Sequence, residues 1–142
     1  MKSTPAPVRK LAILSFQTLD GVMQAPSSPE EDTSGGFTRG GWATDYWPEV
    51  MEQVQREAMS EPYDMLFGRK TYELFAPHWS SASSDDPLAT MMNNAQKYVV
   101  SNQDLDLNWQ NSVLISGDVC SEISNLKQQA GKLIQVHGSC DL

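Results

Sequence analysis

Short apolar runs punctuated by turn residues and helical patterns constrain this chain more than any other feature. The runs are Lys10–Phe16, Tyr63–Phe67, Tyr98–Ser101, Val113–Ser116 and Leu133–Val136. Runs this brief and this continuous read as strands buried on both faces. Between them, Trp47, Val50, Met51, Val54 and Ala58 recur at helical spacing, on one face of a helix that begins at Asp45 with Pro48 in its first turn. A second helix is expected from about Lys70 to Phe75. A third opens at the Asp86 cap with Pro87 and runs through Ala95. Asp118 caps a fourth, with Val119, Ile123, Leu126 and Ala130 on one face and Gly131 as its stop. The order β-loop-α-β-α-α-β-β-α-β predicts a mainly parallel α/β sheet with helices on both sides. Ligands of such sheets bind at the carboxyl ends of the strands.

A length of 142 residues fits one domain, and 39% hydrophobic residues with 20% charged ones supply a core. The net charge of −8 repels phosphate backbones and anionic lipid, which argues against nucleic-acid and membrane partners. A local cationic pocket for one small anion is compatible with it. Cys120 and Cys140 are too few for a disulfide framework, and His78 and His137 are too few for a usual metal site, so no metal is expected. The apolar run Leu11–Leu14 is too short for a signal-peptide core. A reduced, cytoplasmic compartment is the expectation.

Residues 24–44 are rich in Pro, Ser, Gly and acid, with Gly35, Gly36, Gly40 and Gly41 among them. So long a loop is usually functional or mobile, and Trp42 and Trp47 suggest that it folds back over something as a lid.

Three strand ends carry candidate chemistry. Gly68-Arg69-Lys70-Thr71 places a glycine, two cations and a hydroxyl at a helix start, where free N–H groups and the dipole favour an anion. A solvated basic turn with Thr71 as helix cap explains the same residues. Gly138-Ser139 offers close backbone approach, and Ser101-Asn102 a hydroxyl and an amide; both are also ordinary turn pairs. Asp20-Gly21 is a common turn as well. Cys120 falls on the expected core side of its helix, and Trp79, Trp109 and the methionines read as packing residues.

Four blocks in this order resemble the dihydrofolate reductase-fold family, in the branch related to the reductase domain of bacterial riboflavin biosynthesis. They are Lys10-Leu-Ala-Ile-Leu-Ser-Phe-Gln-Thr-Leu-Asp-Gly21, Met65-Leu-Phe-Gly-Arg-Lys-Thr-Tyr-Glu73, Lys97-Tyr-Val-Val-Ser-Asn102 and Leu133-Ile-Gln-Val-His-Gly-Ser139. The resemblance implies a three-layer α/β/α fold and an NADPH-dependent oxidoreductase. By matching motif, Gly68, Arg69, Lys70 and Thr71 would hold the dinucleotide, Ser101 and Asn102 its adenosine phosphate end, and Gly138 and Ser139 the pyrophosphate. Asp20 and Gly21 would lie near nicotinamide and substrate. The helix acid that serves folate reduction falls at Val50, flanked by Glu49 and Glu52. Asp20 and Glu49 are therefore the catalytic candidates, and a pterin-like or pyrimidine-like heterocycle is the implied substrate.

The family continues beyond its Gly-Ser strand with further strands, one of them beside the first strand. With Leu142 last in this sequence, an open first-strand edge and a homodimer are the expectation. A ligand-binding module without turnover, or an interaction protein working through that edge, are the competing functions. NADPH titration and substrate-dependent absorbance loss separate them.

Overall fold

The computed structural model describes residues 8–47 and 49–142, apart from the side chain of Val50. Pro48, expected in the first helical turn, lies outside the described residues. The strands are β1 (Leu11–Leu14), β2 (Tyr63–Gly68), β3 (Lys97–Val100), β4 (Ser112–Ile115) and β5 (Leu133–His137); the helices are α1 (Glu49–Ala58), α2 (Arg69–Ser80), α3 (Pro87–Asn94) and α4 (Val119–Gln128). Two compact units hold them: the chain through Leu14 together with Pro62–Leu142, and Ser15–Glu61. No helix among the described residues is long and apolar enough to cross a membrane.

The first unit is a five-stranded sheet in the order β1-β5-β2-β3-β4. Every pairing is parallel. Alternation along the strands divides the side chains between two faces. Leu66, Ile134, Val136 and Ile115 join Leu126 of α4 in one apolar cluster, with Leu11, Tyr98, Val100 and Ile123 packed against it. On the other face Phe67 meets Tyr72 and Phe75 of α2 at ring-centroid distances of 6.3 and 5.5 Å, and Trp109 at 6.0 Å. Helix α3 packs beside α2. The expected α/β/α layering is therefore present in this unit, with α4 on one side and α2 and α3 on the other.

Several local expectations are corrected. Helix α2 runs to Ser80, well past Phe75 and through Pro77. Proline removes one N–H but not the anchorage of Tyr72 and Phe75 on Phe67, so packing overrides the local breaker. The segment from Asp45 is a 3₁₀ turn, Thr44–Tyr46, and α1 starts at Glu49. Of its predicted apolar face, Met51 is half-buried, but Trp47, Val54 and Ala58 are exposed. Val54 is 53% exposed and Trp47 40%. The more protected positions are Met51, Gln55 and Met59, a stripe rotated around the helix. Cys120 is exposed, because it sits one residue off the Val119–Ile123 line that faces the sheet. Helix α4 ends at Gln128 with Gln129 as its C-cap, and Ala130 is exposed. Gly131 does not stop the helix. A Cβ there would lie 2.7 Å from Cζ of Arg9.

Arg9 is the buried cation at the amino end of the sheet. Its Nη2 donates to Asp64 Oδ2 on β2, and its Nε donates to Lys132 O at 2.7 Å. Lys97, at the start of β3, is fully buried. Its Nζ donates to the carbonyls of Asn93, Ala95 and Gln110 at 3.2, 2.8 and 3.1 Å and lies 4.4 Å from the Trp109 ring centre. All three ammonium protons therefore have partners. Burial still pulls its pKa down, to about 8.

In the second unit, residues 24–44 are stitched to themselves. Trp42 Nε1 donates to Gln24 O at 2.9 Å, Gly41 N to Ala25 O at 2.8 Å and Ala43 N to Pro26 O at 3.0 Å. A Cβ on Gly40 would meet Ser28 O at 2.6 Å, so only glycine fits that crossing. Phe16 and Trp47 pack with ring centroids 5.2 Å apart.

Candidate functional site

The carboxyl ends of β2 and β5 are tied together by one serine. Gly68 N donates to Ser139 Oγ at 2.9 Å, Ser139 Oγ donates to His137 O at 2.9 Å, and Ser139 N donates to Thr71 Oγ1 at 3.1 Å. Gly138 and Ser139 both adopt positive φ, 55° and 57°. This left-handed pair turns the chain sharply away from β5 and over the start of α2. The two glycines face each other's segments closely: a Cβ on Gly68 would be 3.6 Å from Ser139 Cβ, and one on Gly138 would be 3.4 Å from Thr71 Oγ1.

Helix α2 leaves this junction with Gly68 as its N-cap and no side chain capping its first turn. The first-turn N–H groups and the positive end of the helix dipole therefore point out of the strand ends. Thr71 does not act as the cap that a plain turn reading requires; its oxygen accepts from Ser139. Two cations flank the opening. Arg69 Nη1 donates to Glu73 Oε2 at 2.7 Å, which holds the guanidinium in place and leaves its other donors for a ligand. Lys70 Nζ lies 3.7 Å from Asp141 Oδ2, a long and exposed pair.

Six of the eight predicted binding residues thus meet: Gly68, Arg69, Lys70, Thr71, Gly138 and Ser139. Ser101 and Asn102 sit in a turn of their own at the end of β3. Ser101 Oγ donates to Gln103 O at 2.9 Å and accepts from Gln103 N at 3.0 Å, so its hydroxyl is used locally. Asn102 is exposed.

The catalytic candidates belong to the second unit. Asp20 is exposed in a turn closed by Thr18, whose Oγ1 donates to Asp20 Oδ1 at 2.5 Å and accepts from Val22 N at 2.8 Å. The Thr18 hydroxyl holds the Asp20 carboxyl below its ordinary value. Asp20 is therefore ionised at neutral pH and suited to accepting a hydrogen bond rather than giving a proton. Glu49 is the exposed first residue of α1.

The sequence reading passed over a buried polar group on the α2 side of the sheet. His137 Nε2 lies 3.1 Å from Gln135 Oε1, and the His137 and Tyr63 rings are 5.9 Å apart. The Tyr63 hydroxyl is buried without a hydrogen-bond partner, and burial pushes its pKa up to about 12. The polar-apolar-polar pattern Gln135-Val136-His137 inside an apolar strand was the available signal.

Burial pulls the His137 pKa down to about 4 from 6.5. Between those values the unfolded chain binds a proton that the folded chain does not. Stability is therefore complete above about pH 6.5 and is lost as pH falls toward 4, by on the order of 3 kcal/mol. Urea unfolding of His137→Gln and the parent chain at pH 7 and pH 4.5 checks this. The acid loss is expected to be clearly smaller in the variant, and equal losses would refute it.

A hollow of about 400 Å³ lined by Val8, Lys10, Gly131 and Lys132 lies at the amino ends of the strands. That is the end at which parallel sheets do not place their ligands.

The first unit is a parallel α/β sheet covered on both faces, with an uncapped helix start flanked by two cations at its strand ends. The family model of the RibD C-terminal domain matches residues 9–142, and the chain belongs to that family. It is a family of riboflavin-biosynthesis reductase-like domains, which makes an oxidoreductase the class of activity. No curated protein matches the sequence.

Proposed function

We propose that this chain binds NADPH and reduces a pterin-like or pyrimidine-like heterocycle. The observation that carries the proposal is the uncapped start of α2, with Arg69 and Lys70 beside it and the Gly138–Ser139 turn against it. Dinucleotide phosphates need N–H donors, cations and close backbone approach, and these residues supply all three. The family's association with NADPH-dependent reductases supports the same reading.

The bound nicotinamide supplies a hydride, and the protein supplies binding and orientation. The N–H groups of the first turn of α2 and the guanidinium of Arg69 hold phosphate. Gly138 lets a ligand approach the backbone, and Ser139 keeps that turn pinned to Gly68. Asp20, as a carboxylate, accepts an N–H from the heterocycle. Glu49 is the second acid for substrate contact.

Fluorescence titration with NADPH, followed by the loss of its absorbance on adding oxidised pterins or pyrimidines, tests this. Saturable binding and turnover are expected. Binding without turnover on any such heterocycle would instead identify a ligand-binding module, and absence of binding would defeat both.

A further inference from the structure

We propose that Glu73 is a positioning residue that sets the preference for NADPH over NADH by fixing the Arg69 guanidinium, a role that rests on the NADPH binding proposed above. Arg69 is the first residue of α2 and Glu73 lies one turn further on, so the two side chains share a face of the helix. Arg69 Nη1 donates to Glu73 Oε2 at 2.7 Å, the length of a good charge-assisted bond. The backbone beneath Glu73 is held from the preceding position. Tyr72, 1% exposed, donates its hydroxyl to Ser112 Oγ at 3.1 Å and accepts from Trp109 N at 3.1 Å. That anchorage makes the Glu73 turn a fixed base, and the arginine is what the carboxylate orients.

Helix stability does not account for this pair. Within a helix the favourable order sets the acid ahead of the base, and cations are unfavourable beside the positive end of the dipole. Here the arginine comes first, at the helix start, with Lys70 next to it and no acid in the first turn. Helix α1 carries a pair in the favourable order, Glu52 with Arg56, and that pair is looser: 3.4 Å apart, with both side chains more than half exposed. The α2 pair is shorter and its arginine better shielded, although its order and place work against the helix. A ligand at the guanidinium explains an arrangement that costs the helix and still holds the arginine firmly.

Arginine presents five N–H donors in one plane, and Glu73 takes a donor at Nη1 while the others keep a single orientation. An arginine without such a partner gives up its rotamers when it meets a phosphate. For one long side chain that loss is equivalent to roughly two- to ten-fold in affinity. With Glu73 in place the ordering precedes the ligand. NADPH brings the 2′-phosphate that NADH lacks, so the benefit falls on NADPH.

Paired fluorescence titrations of Glu73→Ala and Glu73→Gln with NADPH and NADH test the proposal. Both variants remove the same charge, and only Gln keeps an oxygen that accepts from Arg69, so the ratio of their affinities separates positioning from electrostatics. Glu73 is exposed on the helix and alanine is the best helix former, so both variants are expected to keep the parent's circular dichroism. Glu73→Ala is expected to bind NADPH roughly two- to ten-fold more weakly than Glu73→Gln, with the two alike toward NADH. With Arg69→Ala added to each, the difference is expected to vanish. Equal NADPH affinities, the same difference toward NADH, or a difference that persists without Arg69 would each overturn the positioning role while leaving NADPH binding intact. Arg69→Ala alone with the parent's NADPH affinity would instead remove the phosphate site at the start of α2, and the positioning role with it.

Discussion

Asp64→Ala is expected to lower the unfolding free energy by about 3–5 kcal/mol. Asp64 is the partner of the Arg9 guanidinium, and their side chains are 11% and 3% exposed. Arg9 cannot swing out to water when that partner is lost. Its Nε is held by Lys132 O, its own backbone N–H is bound to Lys127 O at 2.8 Å, and Gly131 lies directly against its Cζ. The variant therefore keeps a buried cation with a donor unpaired. Domains of this size are stable by roughly 5–15 kcal/mol, so the loss is a large share of the whole. Urea unfolding monitored by tryptophan fluorescence measures it. The double variant Arg9→Met with Asp64→Leu is expected to recover most of the loss, since a buried pair replaced by apolar side chains is often neutral. A loss below about 1 kcal/mol for Asp64→Ala would contradict the buried pair, because an exposed one is worth no more.

Arg69→Ala is expected to weaken NADPH binding by roughly ten- to a hundred-fold, corresponding to about 1.5–3 kcal/mol for a charge-assisted hydrogen bond. NADH, which lacks the 2′-phosphate, is expected to lose less, so the preference between the two narrows. The Arg69 side chain is only 33% exposed and is fixed by Glu73, whereas that of Lys70 is 63% exposed and loosely paired. A fixed fork loses less entropy on meeting a phosphate than a free ammonium does. Lys70→Ala is accordingly expected to have the smaller effect. Paired titrations of the variants with both dinucleotides decide it. Unchanged NADPH affinity in Arg69→Ala would remove Arg69 from the site.

Much of the fold was readable because its signals act over short distances. Continuous apolar runs marked all five strands to within a residue or two, and Asp86 and Asp118 cap α3 and α4 as their residue types imply, each accepting from first-turn N–H groups. The Gly68–Thr71 and Gly138–Ser139 segments were legible as strand ends with special backbone or charge.

What joined them was not legible. Ser139 reaches Gly68 across 71 positions and Thr71 across 68. Arg9 finds Asp64 across 55. No local pattern encodes a partner at such separation; the sheet order that sets β5 between β1 and β2 creates the contacts. The same order decided that Ser139 is a clasp between strand ends and that Gly131 makes room for a guanidinium. The sequence by itself determined which segments are strands and helices, because periodicity and capping are properties of neighbours. Only the tertiary structure decided which polar groups meet, because burial and hydrogen-bond satisfaction depend on the packing of distant segments.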